Sequence, residues 1–380
     1  MLEVNHSVKE DGVYPWLSLC LGLLCSFCLL EFARTHWLIQ PDKAAYGSET
    51  KGFDVSNSEV RDQCSDARDS AQCVRTYQKA GSPPAILWLG NSQLMAINHA
   101  QPGDKNAPFL LRQRLAERGY FVATYSIPNA NLAEHALIID AVASQYKTKM
   151  MLLPVVYDDL REQGLRADVA AFADDPAVLK PLQSAAYWPE LKLLLDAHQQ
   201  ITSSDVQTPT QQTIQARVEN KFVAWLQKHS LLWKSRIDLR DLLSYAVHTL
   251  RNKMLGIHST TKRTVDGGVY QQRMILLEQM LVSARKQGIE VIIYIPPYRR
   301  DIDGPYIEAD YQRFKAEVAI LARRHAARFS DLEPIVPGSE WGMVTDPLFG
   351  LREYDFMHFT ANGHARLANA LDQELVRAGY

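Results

Sequence analysis

Short apolar runs alternate with amphipathic stretches in two separate parts of the chain. Five runs have the length and composition of buried strands: Ala85–Leu89, Tyr120–Tyr125, Lys149–Tyr157, Glu290–Ile295 and Arg328–Leu332. Between them, helical spacing recurs over residues 109–118, 132–146, 271–286 and 311–325. A last helix follows the capping residue Thr360, with Leu367, Leu371 and Leu375 as its apolar stripe. This alternation predicts an α/β fold in which helices cover a parallel sheet.

The alternation stops between the two parts. Residues 159–269 are mostly helical by pattern and too long for a loop, so they are predicted to form a helical insertion at the ligand-binding edge of the sheet. Residues 222–254 place apolar side chains at helical spacing. Such a face fits either a lid or partner-docking surface, or a structural bundle packed on the sheet. The α/β domain itself is predicted over residues 83–158 and 270–380.

The amino terminus has a different composition. After a tail of residues 1–12, the stretch from Val13 to Leu30 carries no charge and would span about 27 Å as a helix, against a bilayer core of about 30 Å. Trp16 and Trp37 bracket it, and no small-x-small cleavage site precedes Glu31. We expect an uncleaved transmembrane anchor over residues 13–39, with a buried core helix as the alternative. A polar linker is predicted over residues 40–82, with one short helix around residues 58–79.

Charge and cysteines give opposite indications about orientation. Lys9 precedes the anchor and Arg34 and Lys43 follow it, which weakly favours a cytoplasmic body. Cys64 and Cys73 are the only cysteines outside the apolar segment, in a short polar stretch without histidines. Their spacing fits a local disulfide, which needs an oxidising compartment, or two free thiols.

Overall composition excludes some functions. The 380 residues carry a formal net charge of −2, with an isoelectric point near 6.6, which argues against general nucleic-acid binding. A nucleotide-binding α/β protein is disfavoured because no Gly-x-Gly-x-x-Gly or Gly-x-x-x-x-Gly-Lys stretch follows a predicted strand. We expect no cofactor.

The candidate chemistry lies at the ends of the α/β domain. Gly90 ends the first strand, and Ser92 then lies at the carboxyl end of the sheet, where open α/β sheets bind ligands. A serine nucleophile needs a base and a carboxylate to orient it, and Asp355 and His358 are close enough for one loop to hold both. The N–H of Ser92 and a group in the loop 128–131 are candidate oxyanion donors.

Other polar residues carry weaker signals. Arg299 and Arg300 follow the fourth strand and either bind a phosphate or carboxylate of an acceptor polymer or belong to a solvated loop. His364 would complete a metal set with His358 and Asp355, or it faces solvent on the last helix. The second reading is preferred, so no metal site is predicted.

Gly90-Asn91-Ser92-Gln93 together with Asp355-x-x-His358 resembles the SGNH/GDSL hydrolase superfamily. The resemblance covers residues 84–157 and about 270–380, and implies a flavodoxin-like three-layer fold with esterase or acyltransferase activity. By motif match, Ser92 is the nucleophile, His358 the base and Asp355 its orienting carboxylate. Asn129 falls where the family has an oxyanion glycine.

The chain departs from the family pattern at two further positions. Tyr157 stands where the superfamily has an oxyanion asparagine, and Asn91 stands where aspartate is usual. These departures predict an altered oxyanion hole.

The anchor, the insertion and Pro296-Pro297 after the fourth strand resemble the membrane-attached DltD and AlgJ/AlgX proteins of cell-envelope polymer acylation. This resemblance implies a periplasmic body on the inner membrane, a Cys64–Cys73 disulfide, and a membrane-bound O-acyltransferase as partner. The resulting hypothesis is a membrane-anchored serine O-acyltransferase or acyl-esterase that acts on an envelope glycan or glycolipid. The alternative is a non-catalytic assembly protein of the same kind of complex, in which the insertion docks a membrane partner.

Overall fold

A computed structural model describes the greater part of the chain. The described residues are 21–22, 24–26, 28–29, 32, 50–52, 63–64, 69–161, 164–205, 247, 249–345 and 350–380. The chain divides into two compact units, one formed by Ala45–Thr208 with Asn252–Tyr380 and the other by Met1–Ala44 with Pro209–Arg251. In the second unit, the described residues are helical. All elements numbered below belong to the first unit.

A parallel sheet forms the centre of the first unit. The strands are β1 (Thr50–Gly52), β2 (Gln63–Cys64), β3 (Ala85–Gly90), β4 (Ala96–Asn98), β5 (Phe121–Ser126), β6 (Thr148–Pro154), β7 (Glu290–Ile295), β8 (Arg328–Asp331), β9 (Trp341–Thr345) and β10 (Arg352–Phe359). Six of them form the sheet in the order β2-β5-β3-β6-β7-β8, with all neighbours parallel. Without the edge strand β2, this is the 2-1-3-4-5 order of flavodoxin-like sheets, so the predicted parallel sheet is confirmed.

Helices lie on both faces of this sheet. They are α1 (Ser70–Lys79), α2 (Ser92–Met95), α3 (Ala107–Glu117), α4 (Leu132–Val142), α5 (Ala167–Ala170), α6 (Pro176–Gln183), α7 (Trp188–Asp205), α8 (Gly267–Lys286), α9 (Glu308–Arg324) and α10 (Ala361–Arg377). Thr360 takes the N-cap position of α10 as predicted, but its hydroxyl makes no capping hydrogen bond. The leucine stripe of α10 is fully buried.

Alternate residues of each strand enter two different cores. Leu87 and Leu89 of β3 pack with α4, α8 and α9, whereas Ile86 and Trp88 pack with α3 and α10. In the second core, the Trp88 indole of β3 donates to the Tyr294 hydroxyl of β7 at 2.9 Å, on the same face of the sheet. Full burial of each such side chain contributes about 1.5–3 kcal/mol. The strands are therefore held from both sides, which fixes the edge where their carboxyl ends meet.

The described parts of residues 40–82 contain strands that the composition of this segment does not predict. β1 pairs antiparallel with β4, β2 adds an edge strand to the sheet, and α1 follows. Cys64 and Cys73 form a disulfide that joins β2 to α1. The Gln63 side chain donates to the Ser126 hydroxyl and accepts from Asn106. The sequence did not predict these strands, because a covalent bond and buried polar contacts hold segments too short to show periodicity. The helix α1 lies within the short helix expected around residues 58–79.

Two predictions fall largely outside the described residues. The expected anchor, residues 13–39, and the amphipathic face of residues 222–254 are described only in part. Among the helices that are described, none combines the length and apolar character needed to cross a bilayer. The described start of the insertion is helical, with α5, α6 and α7 after the 3-10 turn Tyr157–Leu160.

Candidate active site

Ser92 lies in a tight turn at the carboxyl end of β3. It is the first residue of α2, and the Asn91 side chain caps this helix by accepting the Gln93 N–H at 3.0 Å. Gly90 makes the turn possible, since a Cβ there would lie 2.3 Å from Cδ1 of the buried Leu94. Ser92 therefore follows β3 at the carboxyl edge of the sheet, and the strand order reverses at β3, which lies between β5 and β6.

Asp355 and His358 lie on a strand rather than in the loop that the sequence suggested. β10 pairs antiparallel with β9, but the register shifts between Tyr354, opposite Met343, and Phe359, opposite Trp341. Four residues of β10 therefore face a single residue of β9. Such a bulge bends the strand and redirects its side chains. Both Asp355 and His358 belong to this bulge.

Three side chains form one chain of hydrogen bonds. The Ser92 Oγ lies 3.0 Å from Nε2 of His358, and Nδ1 of His358 lies 3.0 Å from Oδ2 of Asp355. The other carboxylate oxygen, Oδ1, accepts the backbone N–H groups of Met357 and His358, each at 2.8 Å. The structure thus brings together the three residues to which the sequence assigned nucleophile, base and orienting carboxylate.

The Asp355 carboxylate is suited to accept a hydrogen bond from the imidazole while remaining ionised. Burial by itself would raise its pKa, but the charge of His358 and hydrogen bonds from His358 and Met357 outweigh burial, so the pKa lies below its ordinary value. An ionised carboxylate at Nδ1 places the imidazole proton there. The Nε2 atom then carries the lone pair that accepts the Ser92 proton.

Two backbone N–H groups remain as oxyanion donors. Within the described residues, the Ser92 N–H makes no hydrogen bond. In the loop 128–131, Ala130 and Asn131 donate to partners inside the protein, and Pro128 has no N–H. Asn129 is exposed with a φ of 55°, and its N–H has no acceptor among the described residues. This loop is tied to the serine turn because Ile127 donates to the Gly90 carbonyl at 3.1 Å.

Tyr157 does not replace the expected asparagine as a donor. Its ring packs in a cluster of aromatic side chains, with ring centres 5.1 Å from Tyr306 and 5.3 Å from Phe314. Beside it, a small cavity between Gln93 and Met357 has room for about one water molecule. The oxyanion site therefore lacks a side-chain donor at this position.

The two arginines after β7 have partners inside the protein. Arg299 is buried and donates to Asp301 and to the Gly342 carbonyl. Arg300 forms ion pairs with Glu308 and Glu333. These contacts occupy both guanidinium groups and favour a structural role over the predicted binding of an acceptor polymer.

His364 is neither exposed nor arranged as a metal ligand. It is fully buried, its Nδ1 accepts the Ala107 N–H at 3.2 Å, and its Nε2 donates to the Ala96 carbonyl at 3.1 Å. The prediction that it faces solvent is wrong, because both ring nitrogens join α10 to the segments around α2 and α3. No group of potential metal ligands occurs among the described residues.

His364 also gives a prediction for acid stability. Burial is the main cause that lowers its pKa from 6.5 to about 4. The unfolded chain binds this proton more readily, so the stabilisation is complete above pH 6.5 and is lost as the pH falls towards 4. We expect the free energy of unfolding to fall by about 3 kcal/mol over this range. Urea titrations at several pH values measure it.

The control for this prediction is the exposed His258. A His364→Leu variant is expected to show a shallower dependence of stability on pH than the parent, whereas His258→Gln is expected to keep the parent's slope. His135, with a pKa lowered to about 3 mainly by burial, contributes a residual slope in all three proteins. An unchanged slope in His364→Leu would contradict the assignment.

Comparisons with known proteins give little beyond this geometry. No family model matches the chain, and no curated protein matches it. Among solved structures, it is similar to a crystal structure from Bacteroides fragilis NCTC 9343 whose description proposes an acylhydrolase. That match covers 80% of this chain and 96% of the other, with 10% sequence identity and a TM-score of 0.37. A likeness at this level carries no argument about activity, so the site must be interpreted from its own residues.

Proposed function

We propose that the protein catalyses acyl transfer from an ester or thioester through Ser92, as an esterase or an O-acyltransferase. The observation that carries this proposal is the continuous chain of hydrogen bonds from Asp355 through His358 to Ser92, with 3.0 Å at each of its two side-chain links. Ser92 lies at the carboxyl edge of the parallel sheet, which is where open α/β sheets bind ligands.

The geometry accounts for each proton in the reaction. Ser92 Oγ bonds to the acyl carbon while His358 takes the hydroxyl proton, and Asp355 stabilises the resulting imidazolium. The oxyanion would be held by the N–H groups of Ser92 and Asn129. The bond to the leaving group then breaks, and His358 returns the proton to it. A water or an acceptor hydroxyl releases the acyl group in the reverse sequence, with His358 as base again.

The cellular location, the acceptor and the partner are part of the same proposal. An uncharged stretch from Val13 to Leu30 supports an anchor in the inner membrane, and the Cys64–Cys73 disulfide supports a periplasmic body. An envelope glycan or glycolipid would then be the acceptor, and a membrane-bound O-acyltransferase would supply the acyl group. The resemblance to DltD and AlgJ/AlgX proteins is the reason for choosing this acceptor and this partner.

One observation favours the non-catalytic assembly protein as a second candidate. Tyr157 packs among rings where the superfamily resemblance expects an oxyanion asparagine, so the site has two backbone donors and no side-chain donor in that position. A protein that has lost its chemistry would keep the fold and lose such a donor. The two candidates differ in whether Ser92 reacts.

A fluorophosphonate probe distinguishes them. The full-length protein is incubated with the probe in detergent, its intact mass is measured with and without the probe, and peptide mapping then locates any adduct. We expect one adduct on Ser92 in the folded protein and none after heat denaturation, because only the folded state supplies His358 to take the proton. Absence of any adduct on the folded protein, or an adduct at another residue, would reject the catalytic proposal and favour the assembly protein.

A further inference from the structure

Asn98 contacts the carboxylate of the candidate active site from a part of the chain that no motif identified. It is the last residue of β4, six residues after Ser92, and it is completely buried. Its side-chain amide donates to Oδ2 of Asp355 at 3.1 Å and lies 3.2 Å from the Met343 carbonyl. The same short segment thus carries the serine and a group that binds the carboxylate.

The orientation of this amide follows from its neighbours. Both Asp355 and Met343 present oxygen atoms that only accept hydrogen bonds, so the nitrogen of Asn98 must face them. The Asn98 oxygen points the other way and is buried without a hydrogen-bond partner in the described part of the chain. Leaving a buried acceptor unpaired is unfavourable, so this amide is placed for what its nitrogen donates.

β9 leaves space for this side chain. Opposite Asn98, a Cβ at Gly342 would lie 1.9 Å from the Asn98 oxygen, so only glycine allows the amide to lie in this position. Asn98 is therefore enclosed between β9 and the bulge of β10. An enclosed donor has little rotational freedom, and the group that it binds is correspondingly fixed.

The contacts of Asp355 show what is fixed. Its Oδ1 is held by two backbone N–H groups of its own strand, whereas Oδ2 is shared by Nδ1 of His358 and the Asn98 amide. Asn98 is thus the one side chain besides His358 that binds this carboxylate in the described residues. It limits rotation of the carboxylate about its own axis and thereby the plane of the imidazole.

We infer that Asn98 is a positioning residue for the Asp355–His358 pair, an inference that rests on the proposed function. Asn98 touches neither Ser92 nor the acyl group. It acts through Asp355, by holding Oδ2 where it meets Nδ1 and by sharing the negative charge of the carboxylate. Loss of this donor leaves Asp355 buried with one hydrogen bond fewer and the imidazole less well directed at Ser92.

Two substitutions test the inference through the rate of fluorophosphonate labelling as a function of pH. Asn98→Leu keeps the size of the side chain and removes the donor, and it is expected to slow labelling about 10- to 100-fold. Asn98→Asp keeps the shape but puts a second carboxyl group about 3 Å from Asp355. Two such groups share one proton, and the protonated one still donates. This variant is therefore expected to label like the parent while the shared proton is bound, and to lose rate at higher pH as that proton dissociates, a loss that the parent does not show.

Asn106 provides the matched control. It is also an asparagine with no exposed surface, but it caps α3 and donates to Gln63. Asn106→Leu is expected to lower the melting temperature while keeping the parent's pH profile. If Asn98→Leu and Asn98→Asp label at the parent's rate and with its profile, the inference is overturned while the proposed function stands. If the parent itself is not labelled at Ser92, the proposed function fails and the inference falls with it.

Discussion

Replacement of Ser92 by alanine is expected to lower turnover of an activated ester, such as p-nitrophenyl acetate, about 10⁴- to 10⁶-fold. The reason is that His358 would then have no hydroxyl to deprotonate, although its own contact with Asp355 would persist. Any remaining activity would come from binding and from the two backbone donors alone. Initial rates at several ester concentrations measure the effect on kcat and on kcat/KM.

A second buried serine controls for loss of structure. Ser126 ends the neighbouring strand β5, is fully buried, and accepts a hydrogen bond from Gln63 at 2.7 Å. In the described part of the chain its hydroxyl bonds to Gln63 and not to the Asp355–His358 pair, so Ser126→Ala is expected to retain turnover even if it lowers the melting temperature. Equal turnover in Ser92→Ala and the parent would remove Ser92 from the reaction.

The Asp355→Asn variant is expected to lose about 10⁴-fold in kcat. The two backbone donors at Oδ1 would keep the new carboxamide in place with its oxygen towards them. Its NH₂ group would then face His358 Nδ1, which must accept, so the ring proton moves to Nε2. That nitrogen could no longer accept the Ser92 proton, and the imidazolium would lose its counter-charge.

Two controls distinguish the loss of kcat in Asp355→Asn from unfolding and from a general change in charge. The melting temperature shows whether the variant is folded, and Asp303→Asn removes a carboxylate that is largely exposed and paired with Lys262. We expect Asp303→Asn to react like the parent. If Asp355→Asn also reacts like the parent, Asp355 does not orient the imidazole and the chain of hydrogen bonds has no role in catalysis.

The central sheet was predictable because each of its long strands is a local apolar run. Glu290–Ile295 has the same limits in the sequence pattern and in the structure, and β3 differs from its prediction by one residue. Ser92 was predictable for the same reason, since a strand that ends at Gly90 places the next polar residues at the sheet edge. Regular spacing therefore determines where the serine lies.

The remaining parts depend on contacts between distant segments. β10 was missed because its bulge interrupts the alternation of side chains just where Asp355 and His358 lie. The sequence around Asn98 does not indicate a function, since a single polar residue after Ala96 and Ile97 fits no motif. Its role depends on a residue 257 positions later in the chain, and no spacing along the sequence encodes that contact.

The short edge strand β2 has a consequence for how the protein must be produced. Its two residues pair with the Thr124 and Tyr125 positions of β5, and the disulfide to α1 keeps it there. If the cysteines stay reduced, β5 is left with unpaired backbone donors and acceptors along one side, and these can pair with the same strand of another copy. Self-association of reduced chains would then lower the soluble yield, so expression in an oxidising compartment is the appropriate choice.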